Sequence, residues 1–311
     1  MKHIYGPVSS RRLGLSLGVD LVPFKTCNFD CIYCQLGRTT RKTEKRREWV
    51  SIEEVIEELK AALSCEHKID YLTFSGSGEP TLNSGLGEAI KKIKGFTAIQ
   101  VAVLTNGALL RSAEVREELM ESDLIVPSLD AASQRVFEKV NRPLPSISIE
   151  EVIEGIRAFK KAYRGTLWLE IMLVKGVNDS PDELQRMREV ISRIAPHKVQ
   201  LNTVVRPPSE AYALPLIREE MDKVRVFLGS QCEVIARFGP REPPPLEREE
   251  EKAIWESLQR RPATIKDLAD GLGLHPNETL KYIKKLIDAG KIEAISFGNK
   301  RYYKPIKKKE R

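Results

Sequence analysis

The sequence predicts an α/β fold: a partial (βα)6-type, TIM-like barrel followed by a small C-terminal domain of another kind. Three observations predict it. Short apolar, β-branched runs alternate with amphipathic helical stretches as far as residue 236. A proline-rich stretch, Gly239-Pro240-Arg241-Glu242-Pro243-Pro244-Pro245, then ends the alternation. Beyond it the pattern becomes helix, helix, turn, helix and hairpin.

The expected strands are 18–22, 71–75, 100–104, 124–129, 167–174, 199–205 and 233–236. Ser51 caps the first expected helix, which carries Ile52, Val55, Ile56, Leu59 and Leu63 at helical spacing. Further helices are expected over 86–94, 113–121, 149–163, 181–194 and 217–228. Repeated strand–helix units imply a parallel sheet with helices outside it. Some six units are too few to close an eight-fold barrel. The chemistry of such folds gathers at the C-terminal ends of the strands.

The domains expected are a core over 1–240, a linker over 241–247 and a second domain over 248–311. In the last, a helix runs over 247–259 and Pro262 breaks it. Thr264 caps a short helix over 265–270, and Gly271-Leu272-Gly273-Leu274 turns the chain. Pro276 opens a helix with Leu280, Ile283, Leu286 and Ile287 on one face. Residues 291–297 and 300–304 flank Gly298-Asn299 as a hairpin. This order is the winged-helix pattern.

The chain has 311 residues, 41% hydrophobic, and a formal charge of +7. No N-terminal apolar run suits a signal peptide, and no window approaches 18 apolar residues. A cytoplasmic protein without a membrane span is expected. The charge is uneven. Residues 38–48 hold six Lys/Arg against two Asp/Glu, and residues 281–311 hold eleven against three. Such blocks can contact phosphates, or can be solvated faces that contact nothing.

Of the five cysteines, Cys27, Cys31 and Cys34 cluster, while Cys65 and Cys232 are isolated and read as buried, inert thiols. A clustered, odd set without a signal peptide points to metal in a reducing compartment. Cys27-Asn28-Phe29-Asp30-Cys31-Ile32-Tyr33-Cys34 has the spacing C-x3-C-x2-C. Three thiolates on one loop can hold three corners of a cubane cluster, which takes four cysteines when fully ligated. With no fourth cysteine nearby, one iron is left open, as in catalytic metal sites. The alternatives are a zinc site with a histidine such as His3, an electron-carrying cluster with a distant fourth ligand, and unrelated core thiols.

C-x3-C-x-aromatic-C after a first strand, with Tyr33 as the aromatic, resembles the signature of the radical S-adenosylmethionine superfamily. The resemblance implies a [4Fe–4S] cluster on Cys27, Cys31 and Cys34, with S-adenosylmethionine chelating the open iron. It also implies a one-electron reductant of flavodoxin or ferredoxin type, reductive cleavage of the sulfonium and a 5′-deoxyadenosyl radical that takes a substrate hydrogen. Phe74-Ser75-Gly76-Ser77-Gly78-Glu79-Pro80-Thr81 is similar to the family's G-G-E-P segment, with Ser77 where a glycine is usual. Gly76, Gly78 and Glu79 are thereby matched to the methionine amino end. Leu104-Thr105-Asn106-Gly107 and Ser128-Leu129-Asp130 end the next two strands. Asn106, Ser128 and Asp130 are matched to the cofactor's ribose and carboxylate, or serve as caps and turns. Glu170 and Asn202 point from later strands toward the expected cavity, as cofactor or substrate contacts or as satisfied buried polar groups.

Residues 9–18 and 35–40 resemble a group of Fe–S oxidoreductases related to the tRNA wyosine-base synthases, a likeness covering about the first 240 residues. Unlike archaeal wyosine synthases, this chain has no cysteine before Cys27. A winged helix often binds nucleic acid, and Lys281, Lys284 and Lys285 on its helix, with Lys300, Arg301 and Lys304 on the wing, suit phosphate contact. The leading expectation is modification of an RNA base, such as one in tRNA. The alternatives are a peptide or protein substrate docked by the winged helix, and a cluster-containing DNA-binding regulator.

Overall fold

The computed structural model describes residues 2–10, 12–64, 69–236, 238, 249–297 and 300–306. Cys65, the linker expected over 241–247 and the Gly298-Asn299 turn lie outside the described residues.

The chain opens with a hairpin, β1 (Ile4–Ser10) and β2 (Gly14–Val19). Two very short strands follow, β3 (Thr26–Cys27) and β4 (Arg41–Lys42), paired with each other. Helices and strands then alternate. They are α1 (Ile52–Leu63), β5 (Tyr71–Phe74), α2 (Leu86–Phe96), β6 (Gln100–Thr105), α3 (Ala113–Glu118) and β7 (Leu124–Pro127). Next come α4 (Gln134–Val140), α5 (Ile149–Ala162), β8 (Thr166–Leu173), α6 (Pro181–Ile194), β9 (Lys198–Thr203), α7 (Arg218–Leu228) and β10 (Cys232–Val234).

One eight-stranded sheet runs in the order β1-β2-β5-β6-β7-β8-β9-β10. β1 is antiparallel to β2, and every later pairing in the sheet is parallel. From β5 on, each strand pairs with the next strand of the sheet in chain order, as in a barrel wound in one direction. The α/β fold and mostly parallel sheet agree with the expected partial barrel.

The helices start where local chemistry allows. Ser51, Ser148 and Ser180 each accept a backbone N–H from the first turn, and Pro181 takes the first position of α6, where no N–H is missed. Their apolar faces, such as Val152, Ile153, Ile156 and Phe159 of α5, are buried with the strand side chains in one core. A smaller cluster, Leu13, Ala102, Leu124 and Val126, packs with Tyr71, Leu104 and Trp168.

Four of these elements were not expected: β1, α4 and the two-residue strands β3 and β4. β1 contains Gly6-Pro7, which reads as a breaker, yet an edge strand tolerates a proline that donates to no ladder. α4 has only seven residues, too few for a helical period to stand out. The first parallel strand, expected over 18–22, instead ends at Val19, and the chain turns off toward Cys27.

The remaining elements are α8 (Glu249–Arg260), α9 (Ile265–Leu272), α10 (Pro276–Asp288) and a hairpin of β11 (Ile292–Phe297) and β12 (Lys300–Pro305). They share a separate core that includes Ile254, Leu258, Ile265, Leu268, Leu280, Ile283, Leu286 and Tyr303. Leu36, from the segment just after Cys34, packs against it.

Candidate functional site

The loops that leave the C-terminal ends of β2, β5, β6 and β7 meet around the three clustered cysteines. Cys27 ends β3, and two tight turns follow, in which Cys34 N–H bonds Cys31 O at 3.0 Å and Gly37 N–H bonds Cys34 O at 3.1 Å. Phe29 and Ile32 are buried and anchor the loop. Phe29 meets Phe137 of α4 edge to face, with centroids 5.2 Å apart. Ile32 N–H reaches Val140 O at 3.0 Å, and Asp30 N–H reaches Asn141 O at 3.0 Å.

Every thiol faces a donor. Phe29 N–H lies 3.4 Å from Cys27 Sγ, and Asn106 Nδ2 lies 3.6 Å from the same sulfur. Asn141 Nδ2 approaches Cys31 Sγ at 3.4 Å, and Lys25 Nζ approaches Cys34 Sγ at 3.2 Å. Burial pushes the Cys27 thiol up to about 12, and the nearby Glu79 charge adds to this. Burial, then the Asp130 charge, also pushes the Cys31 thiol well up. Burial works against the Lys25 ammonium, yet the sulfurs of Cys34, Cys27 and Cys31 outweigh it and raise its pKa. A buried ammonium and amide donors aimed at sulfur suit sulfur that carries negative charge. Lys25 and Asn141 were not anticipated from sequence. Lys25 stands two residues before Cys27, but Asn141 is set at the end of α4 and carries no local signal.

Three thiols on one loop, each with a donor aimed at its sulfur, fit a [4Fe–4S] cluster, in which each thiolate holds a different iron.

The loop after β5 lies directly on this one. Lys25 N–H bonds Ser77 O at 2.6 Å, and Glu79 N–H bonds Thr26 O at 3.1 Å. A Cβ on Gly78 would sit 1.8 Å from Thr26 O, so only glycine allows the two loops to approach this closely. Gly76 has φ +144, and a Cβ there would lie 2.6 Å from Asp20 Cγ. Glu79 is buried and caps the 3₁₀ turn Pro80–Leu82. Its Oε1 accepts from Thr81 N–H at 3.1 Å, Thr81 Oγ1 at 2.6 Å and Thr105 Oγ1 at 2.6 Å. Its Oε2 accepts from Asn106 N–H at 2.7 Å. Burial raises its pKa, and these four donors pull it down.

Asn106 thus sits between Glu79 and Cys27, with its amide also against Asn28 Oδ1. Asp130 stands behind the cysteine loop. It accepts from the Tyr33 hydroxyl, from Asn141 Nδ2 at 2.7 Å and from Met172 N–H at 2.8 Å. Burial pushes its carboxyl up to about 6, against the pull of those donors. Tyr33 and Asp130 therefore brace Asn141 and, through it, Cys31. Ser128 bridges to Glu170 at the end of β7. Glu170 is held bidentate by Arg12 at 2.8 and 2.7 Å, and Asn202 Nδ2 donates to it at 3.2 Å. Arg12 had not been anticipated in this role.

The basic residues fall into two groups. Next to the cysteine loop, β4 pairs with β3 so that Arg41 and Lys42 lie opposite Thr26 and Cys27. Arg41, Lys42, Lys45 and Arg47 are exposed, and Arg47 stacks 3.7 Å over the Trp49 ring. Arg38 pairs with Glu210, and Arg46 with Glu114 and Glu118. On α10 the lysines are half-buried. Lys284 Nζ reaches Val205 O of the core unit at 3.0 Å, and Lys285 Nζ pairs with the buried Glu251 at 3.1 Å. Lys281 is half-buried on the same helix, Lys300 is exposed, and Arg301 keeps Nη1 buried with no hydrogen-bond partner among the described residues. Lys284 and Arg301 line a cleft of about 420 Å³ with Pro207, Pro208, Leu214 and Ile287.

Comparison with known proteins agrees with this geometry. Residues 21–188 match the Radical SAM superfamily, which covers more than half of the chain. The chain therefore belongs to the radical SAM superfamily. Within it, the chain is 33% identical over 322 residues to the UPF0026 protein MJ1312 of Methanocaldococcus jannaschii, covering 100% of this chain and 98% of that one. It is 37% identical over 294 residues to a protein of Brachyspira hyodysenteriae named GTPase Obg, covering 94% of this chain and 43% of that longer protein. A more distant relative is a probable dual-specificity RNA methyltransferase RlmN of Aquifex aeolicus, 25% identical over 169 residues, with 52% and 48% covered.

Among solved structures, a radical SAM methyltransferase from Sphaerobacter thermophilus shares the fold with a TM-score of 0.54 at 19% identity, over 72% of this chain and 67% of that one. SuiB of Streptococcus suis, solved bound to S-adenosylmethionine, does so with 0.53 at 13%, over 71% and 50%. The chain is an enzyme of a family that uses a [4Fe–4S] cluster and S-adenosylmethionine and requires an electron donor. No helix among the described residues is long and apolar enough to cross a membrane.

Proposed function

We propose that this enzyme modifies a base in RNA, with tRNA as the first candidate, and belongs to the oxidoreductase branch related to the tRNA wyosine-base synthases. On this reading Cys27, Cys31 and Cys34 hold the cluster. Gly76, Gly78, Glu79 and Asn106 form the seat for the methionine end of S-adenosylmethionine, and Ser128 lies toward its nucleoside. The bound group supplies one-electron cleavage of the sulfonium. The protein fixes the thiols with Lys25, Asn106 and Asn141, and holds Tyr33 and Asp130 behind them. Residues 1–240 form the radical core, 241–247 a linker and 248–311 a winged helix.

One observation carries the substrate class. The exposed cations Arg41 and Lys42 form a short strand paired with the one that ends in Cys27, and the exposed Lys45 and Arg47 follow within five residues. A polyanion held there lies beside the centre where the radical forms. The RlmN relative is named as an RNA methyltransferase, which agrees with this class. Lys284 and Lys285 hold Val205 O and Glu251, and Lys42 Nζ likewise holds Pro143 O at 2.9 Å, so Arg41, Lys45 and Arg47 are the first candidates for phosphate contact.

Binding of total tRNA tests the reading. Retention at low salt should weaken steeply as salt is added, because each phosphate contact releases counterions. Replacing Arg41, Lys45 and Arg47 by alanine should weaken binding at every salt and flatten the log–log slope by about 2–3. No retention at low salt contradicts the reading. A second reading, a peptide or protein substrate, is favoured by the cleft lined by Pro207, Pro208, Leu214 and Ile287. Co-purification of a bound peptide would support it.

A further inference from the structure

We propose that the C-terminal unit positions the loop 75–79 through a hydrogen-bonded chain, His275–Asp20–Ser77, making His275 and Asp20 positioning residues for capture of S-adenosylmethionine. This rests on the reading that the Glu79 loop seats that cofactor.

His275 caps α10, and its Nδ1 accepts Asn277 N–H at 3.1 Å. With Nδ1 an acceptor, the ring proton lies on Nε2, which faces Asp20 Oδ2 at 2.9 Å. Asp20 follows β2, and the same Oδ2 accepts Ser77 N–H at 3.0 Å. His275 is 3% exposed and Asp20 4%, so neither group has water to replace a lost partner.

Gly76 lets the carboxylate pack directly against the loop, since a Cβ there would lie 2.6 Å from Asp20 Cγ. The Ser77 peptide is gripped on both sides, its N–H by Asp20 and its C=O by Lys25 N–H at 2.6 Å. A second route runs in parallel. The Tyr5 ring stacks on His275 with centroids 4.3 Å apart, and its hydroxyl bonds Ser75 Oγ at 2.8 Å. The four donors on Glu79 fix its carboxylate, and the chain from α10 fixes the backbone that leads to it. A unit whose sequence suggests a nucleic-acid arm thus reaches the cofactor loop from behind.

The test compares three full-length variants. His275→Phe keeps the ring on Tyr5 and deletes the donor. His275→Gln keeps a side-chain N–H donor. Glu278→Ala removes another contact between the units, Gly6 N–H to Glu278 Oε1 at 3.2 Å, without touching Asp20. The readouts are hydrogen exchange over 75–79 in the cluster-free protein and equilibrium dialysis of S-adenosylmethionine with the reconstituted protein. His275→Phe should speed exchange in the loop and weaken binding by about tenfold, equivalent to about 1.4 kcal/mol. His275→Gln should restore much of both, and Glu278→Ala should change neither.

Unchanged loop exchange in His275→Phe overturns the proposal. Equal effects from Glu278→Ala also overturn it, because general loosening of the units would then explain the result. If the unaltered protein fails to bind S-adenosylmethionine, the cofactor reading falls, while the exchange comparison still decides whether His275 holds the loop.

Discussion

At the residue scale, the site depends on close approach and on donors supplied to sulfur. Gly78 lets the Thr26 carbonyl touch the cofactor loop, and a methyl group there would sit 1.8 Å from that oxygen. Gly78→Ala should therefore cost about 1–3 kcal/mol or more by forced displacement of the β3 end, measured by urea unfolding, and should lower the iron retained on reconstitution. Wild-type stability and iron content in this variant would show that the contact relaxes freely. The three cysteines, Tyr33 and Glu79 stand out in the sequence because their spacing is local, and the structure brings their loops together. Lys25, Asn141 and Arg12 were not, because what identifies them is the sulfur or carboxylate that they meet in space. Asn141 and Cys31 lie 110 residues apart, and Arg12 and Glu170 lie 158 apart.

At the element scale, the cysteine loop has little secondary structure of its own and borrows rigidity from α4. Phe137 is fully buried against Phe29, and the carbonyls of Val140 and Asn141 accept from the loop backbone. Phe137→Ala should cost about 3–5 kcal/mol and leave the loop less able to keep its iron when challenged with a chelator. Unchanged iron retention would mean that the loop is rigid without the helix. α4 escaped the sequence reading because two turns do not establish a period. The long helices α5 and α6 were legible, since four turns of periodic apolar residues follow a serine cap in each. The hairpin strand β1 escaped for the opposite reason, a Gly-Pro pair that reads as a break but lies on an edge.

At the scale of the whole molecule, the parallel sheet followed from alternation, and the C-terminal unit from a change of pattern. How the two meet was not legible. His275 and Asp20 are 255 residues apart, and neither stands in a motif. The lysines of α10 show the same limit: their partners, Val205 O for Lys284 and Glu251 for Lys285, are not legible along the helix. The chemistry at Cys27, Cys31 and Cys34 can be tested without knowing the substrate. The reconstituted enzyme, reduced anaerobically with S-adenosylmethionine, should release 5′-deoxyadenosine, and a variant with all three cysteines replaced by alanine should release none. An intact [4Fe–4S] cluster with no 5′-deoxyadenosine formed, or equal release by the cysteine-free variant, would contradict the account.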